Sequence, residues 1–222
     1  MSDGTDTIFA DITRGCEMPV SKNRWVTLGA DTIDEPDLAT PEVPSFVPAG
    51  ATRPQLSVPQ PDHTDRLPRR DVSGREPGFW WLGVHGGAGE TSLARLDKNT
   101  KAAGHHWPVT AAGSVVVLVA RSNVPGLRAA RLAATEWASR SLPGIHVAGL
   151  VVVADAPGRL PKEIRDFSRI IGGGVPHVWH LPWVDPWRYG HDVAPEDLPK
   201  EARTVLEQVR LAVTAAAGLP AK

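Results

Sequence analysis

The stretch Phe79-Trp80-Trp81-Leu82-Gly83-Val84-His85-Gly86-Gly87-Ala88-Gly89-Glu90-Thr91-Ser92 runs from an uncharged apolar segment through clustered glycines to two hydroxyl residues. Phe79–Val84 reads as a strand, the glycines as a tight turn, and the residues from about Thr91 as a helix. The same alternation continues downstream. Val115–Ala120 is an unbroken apolar run, mostly β-branched, of the kind buried on both faces of a parallel sheet. A helix follows, capped by Ser122 or Asn123 with Pro125 in its first turn, and it places Leu127, Ala130, Ala134, Trp137 and Ala138 on one face. His146–Val153 and His177–Leu181 read as further strands. Between them a helix from about Pro161 to Ile171 uses Ile164, Phe167 and Ile171 as its inner face and stops at Gly172-Gly173-Gly174. A last helix, about Leu198 to Ala217, buries Ala202, Val205, Leu206, Val209, Val213 and Ala216. Strands alternating with helices predict an α/β domain over residues 78–218, with a mainly parallel sheet flanked by helices.

The glycine turn carries the chemistry. A loop that cradles phosphate needs small residues so that backbone N–H groups converge, and a helix N-terminus behind them. It also needs a lysine for the β/γ-phosphates and a hydroxyl for Mg²⁺. Gly86, Gly87, Ala88, Gly89, Thr91 and Ser92 supply the small residues and the hydroxyls, but Glu90 stands where the lysine belongs. Opposite unit charges ~4 Å apart are worth about 4 kcal/mol at an effective dielectric of 20, and like charges cost about the same. Losing the attraction alone weakens triphosphate binding roughly a thousandfold.

This stretch resembles the deviant phosphate loop of ParA/MinD-type ATPases, Lys-Gly-Gly-x-Gly-Lys-Thr-Thr/Ser. Gly86, Gly87, Gly89, Thr91 and Ser92 match it position by position, whereas His85 and Glu90 replace its two lysines. Val115–Ala134 is similar to a late strand and helix of that family, and Val147–Val153 and Val178–Pro182 to its final strands. Residues 79–217 thus resemble a shortened, degenerate member of the P-loop NTPase superfamily, of a type seen in actinobacterial proteins. The resemblance implies a reduced P-loop fold, with Gly86–Ser92 as the cofactor-binding residues for ATP and Thr91 as the Mg²⁺ ligand should nucleotide bind. One part of the family pattern has no counterpart. Between Leu96 and Val115 the family places two strands, the Walker B aspartate and the switch regions, and the residues Asp97–Ser114, with Gly104, Pro108 and Gly113, leave room for one loop. Asp155-Ala156-Pro157-Gly158 reads either as an Asp-x-x-Gly switch or, more simply, as a turn at a strand end.

Upstream of the domain, nine prolines between Pro36 and Pro77 deny helix and sheet their hydrogen bonds, so residues 31–77 read as an extended linker, removable and open to proteases. Residues 1–30 hold Ile8–Ile12 and Arg24–Leu28, each a short strand or a docking peptide. With 24 Lys+Arg against 25 Asp+Glu, the chain lacks the basic excess that bulk nucleic-acid affinity requires. A single cysteine, Cys16, rules out an intrachain disulfide and a Cys-rich zinc site. The acidic start, Met1–Asp6, lacks the regions of a signal peptide, and no apolar run reaches the ~20 residues of a membrane span, so a cytoplasmic protein is expected.

The other candidates are weaker. His105-His106, His177, His180 and His191 have no cysteine or close carboxylate to complete a metal set. Trp179, Trp183 and Trp187, with Pro182, Pro186 and Tyr189, form a cap over the sheet edge or a partner-binding patch. Arg128, Arg131 and Arg140 form a solvated helix face. The sequence therefore points to a non-hydrolysing binding or regulatory module with no catalytic residue. The alternatives left open are an ATP-binding protein in which Arg95 or Arg159 substitutes for the lysine, and a DNA-partition-type partner.

Overall fold

A computed structural model describes residues 50–218. Residues 1–30 and the first part of the proline-rich stretch, 31–49, lie outside the described residues. Five parallel strands form the main sheet in the order β3-β2-β5-β6-β7. They are β2 (Phe79–Gly83), β3 (Thr100–Gly104), β5 (Ser114–Arg121), β6 (Ile145–Val153) and β7 (Val178–Leu181). Two short strands, β1 (Arg69–Asp71) and β4 (Trp107–Val109), pair with each other outside it. The helices are α1 (Glu90–Arg95), α2 (Val124–Ala138), α3 (Lys162–Gly172), α4 (Asp185–Arg188) and α5 (Lys200–Ala217).

The central strands β2, β5 and β6 are buried on both faces, which is why they read as unbroken apolar runs. Trp80, Leu82, Val116, Leu118 and Val152 pack on the side of α2 and α3, while Phe79, Trp81, Val117, Val119 and Val151 pack on the side of α1 and α5. The inner faces read from the sequence hold: Leu127, Ala130 and Trp137 of α2 and Ala202, Val209 and Val213 of α5 are buried. Asn123 is the α2 cap, its Oδ1 accepting from the Gly126 amide at 2.8 Å. In β6 the alternation slips once. Val116 aligns with Val147 and Val117 with Gly149, so Ala148 is an extra residue, and Val147 and Leu150 face the same helices. Gly149 is needed there, because a Cβ would strike the Trp179 ring and lie 2.7 Å from the His177 carbonyl.

Two expectations are corrected. The segment after Leu96 is not one loop: it supplies β3, an edge strand beside β2, and then β4. Nor is the described part of the proline-rich stretch a free linker. Its backbone is bonded to the domain by Ala51 N–H to Gly173 O, Gln55 N–H to Ala138 O and Val72 N–H to Val109 O, while Pro68 O accepts from Trp107 N–H. Val58, Leu67 and Val72 pack against the core on the α2 side. Proline bars a residue from donating to a ladder, but the residues between the prolines remain free to do so.

Candidate functional site

From the adjacent strands β2 and β5 the chain departs in opposite directions, through α1 to β3 on one side and through α2 to β6 on the other. In an open α/β sheet, the gap between the carboxyl ends of two such strands is where ligands bind. A cleft of about 440 Å³ lies at that end, lined by the turn after β2 and by the segments after β5, β6 and β7.

The glycine turn is locked into this cleft by two side chains. His85 Nε2 accepts from the Arg121 amide at 3.0 Å, so Nδ1 carries the proton and donates to Gly86 O at 2.9 Å. Gly126 allows this approach, since a Cβ there would sit 2.8 Å from His85 Nε2. Arg121 in turn donates through Nε to Gly87 O and through Nη1 to Ala154 O, both at 3.0 Å. The ends of β2, β5 and β6 are thereby tied together around one guanidinium.

The residues expected to hold a nucleotide are split by the fold. Gly86 and Gly87 line the cleft, and Ala88 is buried in the core on the α1 and α5 side. Gly87 and Gly89 hold positive φ, of 75° and 108°, which suits glycine alone in so tight a turn. Glu90 turns inward and is only 7% exposed. Its Oε2 accepts from the Gly89 amide at 3.2 Å, and the carboxylate lies where a Cβ on Gly83 would have to go. Thr91 is exposed and Ser92 half-buried in the first turn of α1, and neither lines the cleft.

Arg95 and Arg159 do not line it either, and Arg95 is paired with Asp192 at 2.7 Å. The basic residues that do are Arg121 and Arg188, both passed over in the sequence. Arg121 had one visible signal, a charge at the carboxyl end of an otherwise apolar strand. Asp155, whose amide donates to Ser122 Oγ at 2.9 Å, sits at the turn after β6 and also lines the cleft. The aromatic segment divides as well. Trp179 is a core residue stacked on His177, which removes it from any exposed partner patch, while half-buried Trp183 and Trp187 form one wall of the cleft. Arg128, Arg131 and Arg140 are exposed.

Among the described residues, no group of three or more His, Cys, Asp or Glu is placed to hold a metal, and no helix is long and apolar enough to cross a membrane. Burial lowers the imidazole pKa of His177 and of His180 below the usual 6.5. As the pH falls below about 6.5, the unfolded chain therefore takes up protons that the folded chain refuses, and stability drops. A thermal denaturation series from pH 8 down to about 5 is expected to show the midpoint falling across the lower half, and His177→Asn to flatten that fall.

The fold and cleft define a doubly wound α/β domain with a ligand-sized opening at its topological switch point. The chain belongs to DUF6668, a family of unknown function whose model matches residues 77–206. No curated protein and no solved structure matches it.

Proposed function

We propose that this domain is a ParA/MinD-like, P-loop-derived scaffold that has given up hydrolysis and acts as a binding or regulatory module. The observation that carries the reading is Glu90. Phosphoryl transfer rests on positioning and on neutralising phosphate charge, for which a phosphate loop uses a lysine and a metal-bound hydroxyl. Here a carboxylate fills the lysine's position, is folded into the turn, and occupies the Gly89 amide that a phosphate oxygen would need. The edge strand next to the loop strand adds support, because β3 ends at Gly104-His105-His106 with no carboxylate to hold a magnesium shell. The arrangement of strand, glycine turn and helix, with the cleft beside it, is kept. What it retains is the capacity to bind.

The test is phosphate release from ATP and GTP with Mg²⁺ by the full chain, alongside a binding titration. No turnover and weak binding are expected. Micromolar affinity with measurable release would overturn the reading.

A further inference from the structure

The cleft contains a second recognition element that the glycine turn does not provide. We propose that it is a receptor for a small aromatic oxyanion, held by Arg121 and Arg188 against a wall of Trp183 and Trp187. This rests on the binding-module reading only in using the same cleft.

Arg121 is the anchor. A guanidinium has five N–H donors in a planar fork suited to carboxylate and phosphate oxygens. Two are spent on the carbonyls of Gly87 and Ala154, which fix the group in place, and Nη2 makes no hydrogen bond among the described residues. Nor does any carboxylate among them pair with Arg121 or Arg188; the ion pairs present are Arg95–Asp192, Arg169–Asp166 and Arg210–Asp97. A cation held rigid in advance, with no carboxylate in direct contact, binds an anion with little ordering cost.

Two neighbouring amides are already engaged. Glu90 takes the Gly89 amide, Asn123 takes the Gly126 amide, and Pro125 has none to give. Charge sets the size of the anionic group. Arg121 and Arg188 line the cleft together with Asp155, and two cations beside one carboxylate suit one oxyanion group and disfavour a triphosphate. The rest of the ligand meets indole surface. The Trp183 ring is fixed by its Nε1–H to Asp185 Oδ1 at 3.0 Å, and Trp187 is packed on the core. Flat rings are what such a wall receives. A volume of about 440 Å³ matches one ring system with its charged group.

The experiment uses the full chain in magnesium-free buffer, with tryptophan fluorescence and calorimetry as readouts. The probes are AMP and indole-3-acetate as anions, with adenosine and tryptamine as their uncharged and cationic counterparts. Either anion, or both, is expected to bind at least about tenfold tighter than its counterpart, and the one that binds identifies a phosphate or a carboxylate head. Arg121→Gln and Arg188→Gln are each expected to weaken that binding about tenfold or more with the circular dichroism spectrum unchanged. Should Arg121→Gln fail to fold, Arg188→Gln, on the exposed surface of α4, decides. Absence of binding by both anions, equal binding of the counterparts, or full affinity in Arg188→Gln would overturn the proposal. Phosphate release from ATP is read separately. Turnover would overturn the non-hydrolysing reading alone, and failed anion binding without turnover would overturn this inference alone.

Discussion

Glu136→Ala is expected to cost the domain about 2–6 kcal/mol, a large share of the ~5–15 kcal/mol that holds a domain of this kind together. Glu136 lies on the buried face of α2 and is 1% exposed. Its Oε2 accepts from the Leu67 amide at 3.1 Å and from Trp107 Nε1 at 2.9 Å. One carboxylate oxygen thus binds the incoming segment and β4 to α2. Alanine would strand two donors, one of them on a fully buried tryptophan, and each stranded donor costs about 1–3 kcal/mol. Glu136→Gln keeps a carbonyl acceptor in the same place and should lose less than half as much. Chemical denaturation midpoints of the two variants measure the difference. A chain beginning at Gly78 lacks Leu67 and β1 and should unfold as readily as Glu136→Ala, whereas one beginning at Pro44 should retain a cooperative transition. An alanine variant as stable as the parent would mean that the segment from residue 50 to 77 only rests on the domain.

The second large effect is a gain. Glu90→Lys should raise pyrophosphate affinity by about tenfold or more while leaving the fold in place. In the parent, the Glu90 carboxylate is tucked against Gly83 and accepts the Gly89 amide, so the turn already contains an anion of its own. A lysine ammonium has no reason to stay in that position, since it can only donate and the Gly89 amide is itself a donor. It would extend toward the glycine turn and free the Gly89 amide. The helix N-terminus disfavours a cation by about 0.3–1 kcal/mol, small beside the ~4 kcal/mol available from an opposite charge ~4 Å away. Calorimetry with pyrophosphate reads the change. A folded variant with no gain would show that the turn is not a phosphate cradle, whatever its ancestry.

Elements fixed by local chemistry were legible in the sequence. β5 and β6 announce themselves as long apolar runs because both sheet faces are covered, and α2 by Asn123, Pro125 and its Leu127–Trp137 stripe. Elements fixed by distant contacts were not. β3 is an edge strand of alanine, lysine and glycine, whose partners lie only on the β2 side, so it needs no apolar signature. The docking of residues 50–77 depends on Glu136, sixty-nine residues from Leu67. The available sign was a glutamate next to Trp137, on the helix face otherwise given to alanine and leucine. In the site, the three glycines and the missing lysine were visible, but the direction of the Glu90 side chain was not. Neither was Arg121, whose importance comes from Gly87 and Ala154 converging on it from the segments after two other strands.

The proposed function requires that Glu90 occupy the glycine turn in place of a phosphate. The Gly89 amide reports on this directly in the ¹H–¹⁵N spectrum of the labelled full chain. Its resonance is expected to stay where it is on addition of ATP and Mg²⁺ up to millimolar concentrations, and to move on Glu90→Ala. A saturable shift of the Gly89 amide at micromolar ATP would contradict the account.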